Sequence, residues 1–206
     1  MLVNRVLILV GGLVGLSMFN GCTHRIRTPP KPTFDPQGAA KQATAEYDTN
    51  HDGKLDKDEL AKCPALLDGL KRIDKDGDGQ LSAEEIATRL EHWHSFKGVL
   101  TPAHTEVTLD GQALADATVT LEPEKFLGET YLSCTGKTDQ LGHVSFSGSV
   151  AGFPGIYFGF YRVRVSKVVD GKETVPAKYN SDSVLGMEVA DDVAPPRGFT
   201  ELHLKR

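Results

Sequence analysis

The chain has 206 residues, a net charge of −5 and 39% hydrophobic residues. This length and this apolar content are sufficient for one or two domains that each bury a core. The weak negative charge excludes the broad basic surface that nucleic-acid binding requires, so no nucleic-acid partner is expected.

The first segment, Met1–Cys22, has the features of a secretory signal. Arg5 supplies a positive charge before an apolar run at 6–18, and that run is shorter than the about 20 residues that span a bilayer. The run ends in Phe19-Asn20-Gly21-Cys22, which resembles a bacterial lipobox. Gly21 and Cys22 fit that pattern, whereas the two residues before them depart from it.

The lipobox resemblance implies that residues 1–21 are a signal peptide and that Cys22 is lipidated. The protein would then be exported and held on the cell membrane or the outer membrane, because each buried methylene of an acyl chain contributes about 0.8 kcal/mol. An ordinary cleaved signal and an uncleaved anchor are the alternatives. The prolines within residues 22–38 predict a semi-extended tether after this anchor.

Two tandem segments carry the clearest chemical signal. They begin at Asp48 and Asp74, and each fits the calcium-loop pattern D-x-[DN]-x-[DN]-G-x₅-E without a mismatch. Alternate residues of such a loop direct about six to eight oxygens at one ion, and Gly53 and Gly79 lie where the chain turns sharply. The candidate calcium ligands, with Lys54 and Gln80 using their carbonyl oxygens, are Asp48, Asn50, Asp52, Lys54, Asp56, Glu59, Asp74, Asp76, Asp78, Gln80, Ser82 and Glu85.

Both loops and their flanks resemble the EF-hand family. Glu59 and Glu85 distinguish them from dockerin repeats, whose loops usually end on Asp. The resemblance implies an EF-hand pair over residues 39–96 that binds two calcium ions. The loops begin at residues 48 and 74, closer together than in familiar calcium sensors, which argues against a large sensor-type opening.

Helical patterns flank the loops. The first helix is predicted over Ala39–Tyr47, and a short helix follows Glu59 until Pro64 interrupts it. Capping boxes at 56–59 and 82–85 indicate that the end of each loop also begins a helix. Leu55 and Leu81 are expected to join the loops through a short strand pair. Two apolar stripes at helical spacing predict the shared core of the pair: Leu66, Leu67, Leu70 and Ile73, then Ile86, Leu90 and Trp93.

Short alternating segments replace the helical pattern over residues 97–206. They predict an antiparallel β-sandwich of about seven strands, so the fold class is an α+β multidomain protein. Tyr161–Ser166 has the cleanest alternation and is the predicted central strand. The candidate strands are Glu106–Asp110, Ala117–Leu121, Thr130–Cys134, His143–Ser147, Tyr157–Val168, Gly186–Val189 and Phe199–Leu204.

The β region is similar to the carboxypeptidase-regulatory-like or transthyretin-like sandwich of bacterial surface proteins. The resemblance is carried by Val107–Leu121, Thr138–Phe146, Pro154–Ser166 and Val175–Asn180. It covers most of residues 100–206, and it implies a fold without assigning a catalytic residue.

Cysteines and histidines leave several possibilities open. If Cys22 is lipidated, Cys63 and Cys134 can form a disulfide in an oxidising compartment, or they can remain buried thiols. His92, His94 and His104 could hold zinc or copper, although ordinary surface histidines are the simpler interpretation.

The sequence contains none of the common catalytic signatures, so no enzymatic activity is expected. The prediction is an exported, lipid-anchored protein that binds two calcium ions through its EF-hand pair and uses its sandwich as a structural or interaction module. The alternative is a surface adhesin, or a carbohydrate- or protein-binding module with an unknown partner, in which calcium is only structural.

Overall fold

The computed structural model describes residues 29–96, 100–146, 148–150, 153, 155–193 and 200–206. Within these ranges the chain forms an EF-hand-like helical region followed by a β-rich region, as the sequence predicts. The helices are α1 Pro36–Tyr47, α2 Lys57–Leu60, α3 Pro64–Ile73 and α4 Ala83–Ser95. Asp35 caps α1 by accepting a hydrogen bond from the backbone N–H of Gln37, so this helix begins three residues before the predicted start.

Fourteen strands are present in the described ranges, and many of them contain only two residues. The strands are β1 Lys54–Leu55, β2 Leu81–Ser82, β3 Leu100–Thr101, β4 His104–Leu109, β5 Gln112–Ala113, β6 Thr118–Pro123, β7 Cys134–Lys137, β8 His143–Ser145, β9 Ile156–Tyr157, β10 Gly159–Ser166, β11 Val168–Val169, β12 Lys172–Glu173, β13 Leu185–Val189 and β14 Thr200–Leu204. Two 3₁₀ turns, Lys125–Leu127 and Ala177–Tyr179, complete the regular structure.

Two sheets face each other and form the sandwich. The first has the order β13-β10-β6-β7, and the second has the order β14-β4-β5 with β8 also paired to β4. The core between them includes Tyr161, Val163 and Val165, which alternate along β10 and are fully buried. β10 lies between β13 and β6, so the predicted central strand is confirmed.

Two strand predictions need correction. β14 pairs with β4 in parallel, with Leu202 opposite Val107, so the sandwich is not purely antiparallel. Hydrophobic alternation shows which face of a strand is buried but carries no information on strand direction, which explains this error. The predicted strand Thr130–Cys134 is also misplaced, because this stretch is irregular and β7 begins only at Cys134.

The helical region packs directly on the outer face of the first sheet. We call this contact the junction; it consists of α1, α3 and α4 against β10, β13 and the 3₁₀ turn at 125–127. The Trp93 ring of α4 lies 4.7 Å from the Phe160 ring of β10, and both side chains are buried. A Cβ built on Gly186 of β13 would lie 2.0 Å from the carbonyl oxygen of Pro64 in α3. The helix backbone therefore approaches the strand more closely than a residue with a side chain allows.

The proline-rich segment before α1 lies across this junction. The Tyr157 hydroxyl donates to the carbonyl of Pro30 at 2.8 Å, and the Lys31 ammonium donates to the carbonyl of His94 at 3.0 Å. Phe34 makes an edge-on ring contact with Tyr131. Residues 30–34 thus contact both the helical and the β regions, which the tether interpretation does not anticipate.

The signal peptide and Cys22 lie outside the described residues, as does Phe199 at the predicted start of the last strand. In the described ranges, no helix is both long enough and apolar enough to span a membrane. Cys63 and Cys134 are free, buried thiols, and burial raises the pKa of each. Between the two possibilities for this pair, the structure therefore shows the unbridged one.

Candidate metal centre

Each candidate loop connects two helices. The first loop lies between α1 and α2, and the second lies between α3 and α4. The short strands β1 and β2 join the loops in antiparallel fashion, with Leu55 opposite Leu81 and Lys54 opposite Ser82. Both leucines are fully buried. The predicted strand pair is therefore present, and it couples the backbones of the two loops.

The side chains of the first loop are held by backbone N–H groups. The two carboxylate oxygens of Asp48 accept from the N–H groups of His51 and Gly53, at 2.6 and 3.0 Å. The Asn50 side-chain oxygen accepts from the Asp52 N–H at 2.8 Å, and Asp52 in turn accepts from the Lys54 N–H at 2.9 Å. These bonds wrap the backbone around its own acceptor oxygens, as a calcium loop requires.

The second loop repeats this pattern at equivalent positions. Asp74 accepts from the N–H groups of Gly77 and Gly79, at 2.6 and 3.0 Å. Asp78 accepts from the Gln80 N–H at 2.8 Å. Carboxylate oxygens of Asp74, Asp76 and Asp78 all lie within 4.8 Å of one another. The donor set consists of hard oxygens and fits calcium in both loops.

A glutamate closes each loop. Glu59 accepts from the N–H groups of Asp56 and Thr49, at 3.0 and 2.7 Å, and these bonds outweigh its burial and lower its pKa to about 2. Glu85 accepts from the N–H groups of Ser82 and Lys75, each at 2.9 Å. Burial of Glu85 acts in the opposite direction, but these bonds outweigh it and its pKa also lies below the usual value. Both glutamates are therefore ionised at neutral pH.

The closing glutamates also begin the exit helices. Asp56 and Glu59 form a complete capping box at the start of α2, and Ser82 and Glu85 form one at the start of α4. Both predicted capping boxes are confirmed. Because the same carboxylate is a candidate metal ligand and a helix cap, the loop geometry and the helix N-terminus are mechanically linked.

The loops contain one backbone feature that the sequence interpretation missed. Each has two left-handed residues, His51 and Gly53 in the first loop, and Gly77 and Gly79 in the second. The pattern anticipates the second residue of each pair but not the first. His51 has φ of 62°, an angle at which a side chain causes strain, whereas Gly77 at the matching position avoids that strain.

Lys54 connects the two loops through its side chain. Its ammonium forms an ion pair with Asp78 and lies 3.6 Å from an oxygen of Asp76. The hydrogen bond to Asp78 raises the pKa of Lys54, and the same bond lowers the pKa of Asp78. Lys54 was predicted only as a carbonyl ligand, so this role of its side chain is additional.

An ion-pair network ties the second hand to the sandwich. Glu188 of β13 has a fully buried side chain, and its two oxygens accept from the Nε atoms of Arg72 in α3 and Arg89 in α4, at 2.7 and 2.5 Å. Arg89 also makes a two-pronged contact with Asp192 at 2.8 and 2.6 Å. One buried carboxylate thus holds both helices that flank the second loop. No motif in the sequence indicates this network.

A second polar contact ties the first hand to the same sheet. Tyr47 is the last residue of α1 and directly precedes the first loop, and its hydroxyl donates to Glu124 at 3.1 Å. Glu124 is itself buried, and burial raises its pKa. The Arg162 guanidinium, on β10, donates to the carbonyl of Lys62 at 2.6 Å. Both hands are therefore anchored to the sandwich close to their loops.

The three histidines that could hold zinc or copper do not form one cluster in the described residues. His94 stacks edge-on with Phe34, and His104 bonds with Ser145 at 3.0 Å. His92 lies 3.1 Å from Asp191 instead. The interpretation as ordinary side chains with separate partners is the one that fits.

Comparison with protein-family models supports the assignment of the loops. The family described as EF hand matches residues 45–64 and 67–90, which contain both loops and the helices beside them. The searches of curated proteins and of solved structures returned no match. The family match and the loop geometry together identify an EF-hand pair, a module whose presence indicates calcium binding.

Proposed function

We propose that the protein binds two calcium ions through its EF-hand pair, and that this calcium has a structural rather than a signalling role. The observation that supports a structural role for calcium is the buried Glu188, which holds α3 and α4 to the same strand. The repeated hydrogen-bond pattern of the two loops supports two sites of similar construction.

The ligand oxygens would come from the loop positions predicted above. In each loop, acidic side chains converge from alternate positions and a closing glutamate completes the set. Like charges about 4 Å apart repel by about 4 kcal/mol at an effective dielectric constant of about 20. Bound calcium would supply the positive charge that offsets this repulsion.

The junction opposes a sensor-type response in the second hand. Sensor EF-hands respond by changing the angle between their two helices, which exposes an apolar groove. In this protein such a movement would separate Arg72 or Arg89 from Glu188, whose side chain is fully buried. Loss of one partner from a buried ion pair costs about 3–5 kcal/mol. Calcium binding would therefore stabilise the folded protein without changing the angle between the two helices of the second hand.

The test is calcium titration by calorimetry together with unfolding measured in calcium and in chelator. At a free calcium concentration of about 100 Kd, each site contributes about 2.7 kcal/mol, so two sites should add about 5 kcal/mol. A dye that binds apolar surface should show no increase when calcium is added. Two binding events with strong dye binding would favour a sensor, and no binding at millimolar calcium would refute the whole proposal.

We also propose that the protein is exported and anchored by a lipid on Cys22. The support is the lipobox resemblance at residues 19–22 and the short apolar run that precedes it at 6–18. Labelling with a palmitate analogue, followed by membrane fractionation, tests this anchor. Cys22→Ala should lose the label and the membrane association, whereas Cys134→Ala, a change in a buried thiol, should keep both.

We propose that the sandwich is a structural or interaction module and has no catalytic role. One feature favours the alternative in which it recognises a glycan or a protein. A polar cleft of about 350 Å³ lies beside the junction and is lined by Glu46, Lys62, Glu124, Lys125 and Arg162 among others. Glycan-array binding that is lost in Lys125→Ala would support recognition at this cleft, and binding that persists would place it elsewhere.

A further inference from the structure

The Lys54 side chain forms an ion pair with carboxylates that the second calcium site needs. Its ammonium contacts Asp78 and lies 3.6 Å from Asp76, and both are candidate ligands of the second loop. The backbone carbonyl of the same residue is a candidate ligand of the first loop. One residue therefore contributes to both sites in opposite ways, as a ligand in one and as a competing cation in the other.

We propose that Lys54 is a built-in competitor for the second calcium site, so that its ammonium lowers the affinity of that site for calcium. This inference rests on the proposed calcium binding and adds a regulatory residue to it. For the oxygens of Asp76 and Asp78 to coordinate calcium fully, the ammonium has to withdraw. The Lys54 side chain is 36% exposed, so it can move into water without disturbing the core.

The first site has no such competitor among the described residues. Gln80, which corresponds to Lys54 in the second loop, is neutral and cannot form the reciprocal ion pair. No described cation is paired with Asp48, Asp52 or Glu59. The asymmetry between the loops therefore comes from one residue at one loop position, and the pairing of β1 with β2 brings that residue to the other loop.

The expected effect is modest because the ion pair is exposed. The side chains of Asp76 and Asp78 are 58% and 32% exposed, and ion pairs of this kind contribute little in water and are screened by salt. Removal of the ammonium should tighten calcium binding at the second site by about two- to fivefold at low salt. The effect should shrink at high ionic strength, where the ion pair itself is weakened.

The experiment measures each site separately by calorimetry in the full chain. Glu59→Gln weakens the first site and Glu85→Gln weakens the second, and Lys54→Gln is then added to each. Gln is chosen because the second loop carries Gln80 at this position, and the substitution retains the carbonyl ligand. Lys71→Gln, an exposed change of the same charge on α3, is the matched control. Circular dichroism verifies that every variant folds.

Lys54→Gln should tighten the second site in the Glu59→Gln background by more than it changes the first site in the Glu85→Gln background. Lys71→Gln should alter neither. In ¹³C-lysine NMR spectra, the Lys54 side-chain resonance should shift as the second site fills. Calcium binding with no effect of Lys54→Gln, or with equal effects at both sites, would overturn this inference alone. No calcium binding by the unmodified protein would overturn the proposed function itself, and the inference with it.

Discussion

Glu188→Gln is the sharpest test of the junction between the EF-hand pair and the sandwich. The substitution keeps the size of the side chain but removes the one negative charge shared by Arg72 and Arg89. It also places an amide N–H₂ group against a guanidinium, so a donor faces a donor. The two helices beside the second loop would then lose their common attachment to β13.

The size of the loss follows from the exposure of the partners. A buried ion pair that loses one member costs about 3–5 kcal/mol. Arg89 keeps its contact with Asp192 at 2.6 Å, and Arg72 keeps its contact with Asp68 at 3.0 Å, which moderates the loss. We therefore expect the free energy of unfolding to fall by about 3 kcal/mol, which corresponds to a decrease in Tm of about 6–12 °C for a protein of this size.

The assay is urea unfolding at saturating calcium, followed by circular dichroism and by Trp93 fluorescence. Glu122→Gln is the control, because Glu122 bonds Arg164 at the same 2.7 Å on the same sheet, but both side chains are 36% exposed. The control should lose less than about 1 kcal/mol. If the two variants lose the same stability, the buried network does not hold the junction and the structural argument against helix opening fails.

Three further predictions concern the loop backbone, the junction and its pH dependence. His51→Gly should raise the unfolding free energy by about 0.5–1 kcal/mol in thermal melts, because φ of 62° strains a side chain; a decrease would contradict the strain. Gly186→Ala should destabilise by more than about 3 kcal/mol in urea, since the new Cβ would lie 2.0 Å from the Pro64 carbonyl oxygen; a neutral result would mean that α3 does not contact β13. The hydrogen bond from Arg89 lowers the pKa of Asp192 below its usual value. The stability that this ion pair gives the folded protein is therefore fully present above the usual carboxyl pKa, and it is lost as the pH falls through the lowered pKa of the folded state. Asp192→Asn should therefore flatten the dependence of Tm on pH below about 4, and an unchanged slope would count against this pair.

The position of the loops and their local backbone could be predicted because metal coordination restricts the residue type at each position. Only oxygen donors at alternate positions, a glycine at the sharp turn and a closing carboxylate satisfy both the ion and the backbone. The predicted pairing of Leu55 with Leu81 and both capping boxes follow from the same restriction. The left-handed angle at His51 was missed because the ligand pattern leaves that position free.

The junction could not be predicted because its signal resembles that of a solvated surface. Along β10, Tyr161 and Val163 face the inside of the sandwich, and the alternation therefore puts Arg162 on the opposite, outer face. That face is mixed, because the buried Phe160 lies on it beside Arg162. It is covered by the EF-hand pair, and Arg162 donates to the carbonyl of Lys62 there. Alternation shows which face of a strand points into the sandwich. Which element covers the other face depends on residues far away in the chain.

The same contacts determine which part of the protein can respond to metal. The helix leading to the first loop ends at Tyr47, which is bonded to Glu124, and the helices of the second loop are bonded to Glu188. Glu188 lies on a sheet that is also one wall of the sandwich core, and Glu124 directly follows β6 of that sheet. Tilting a helix would therefore disturb packing in both regions. The groups near the sites that can move without disturbing this packing are partly exposed side chains such as Lys54. Calcium-dependent change should therefore be confined to the loops and their side chains, and a spin label on α3 paired with one on β13 should report the same distance with calcium and with chelator.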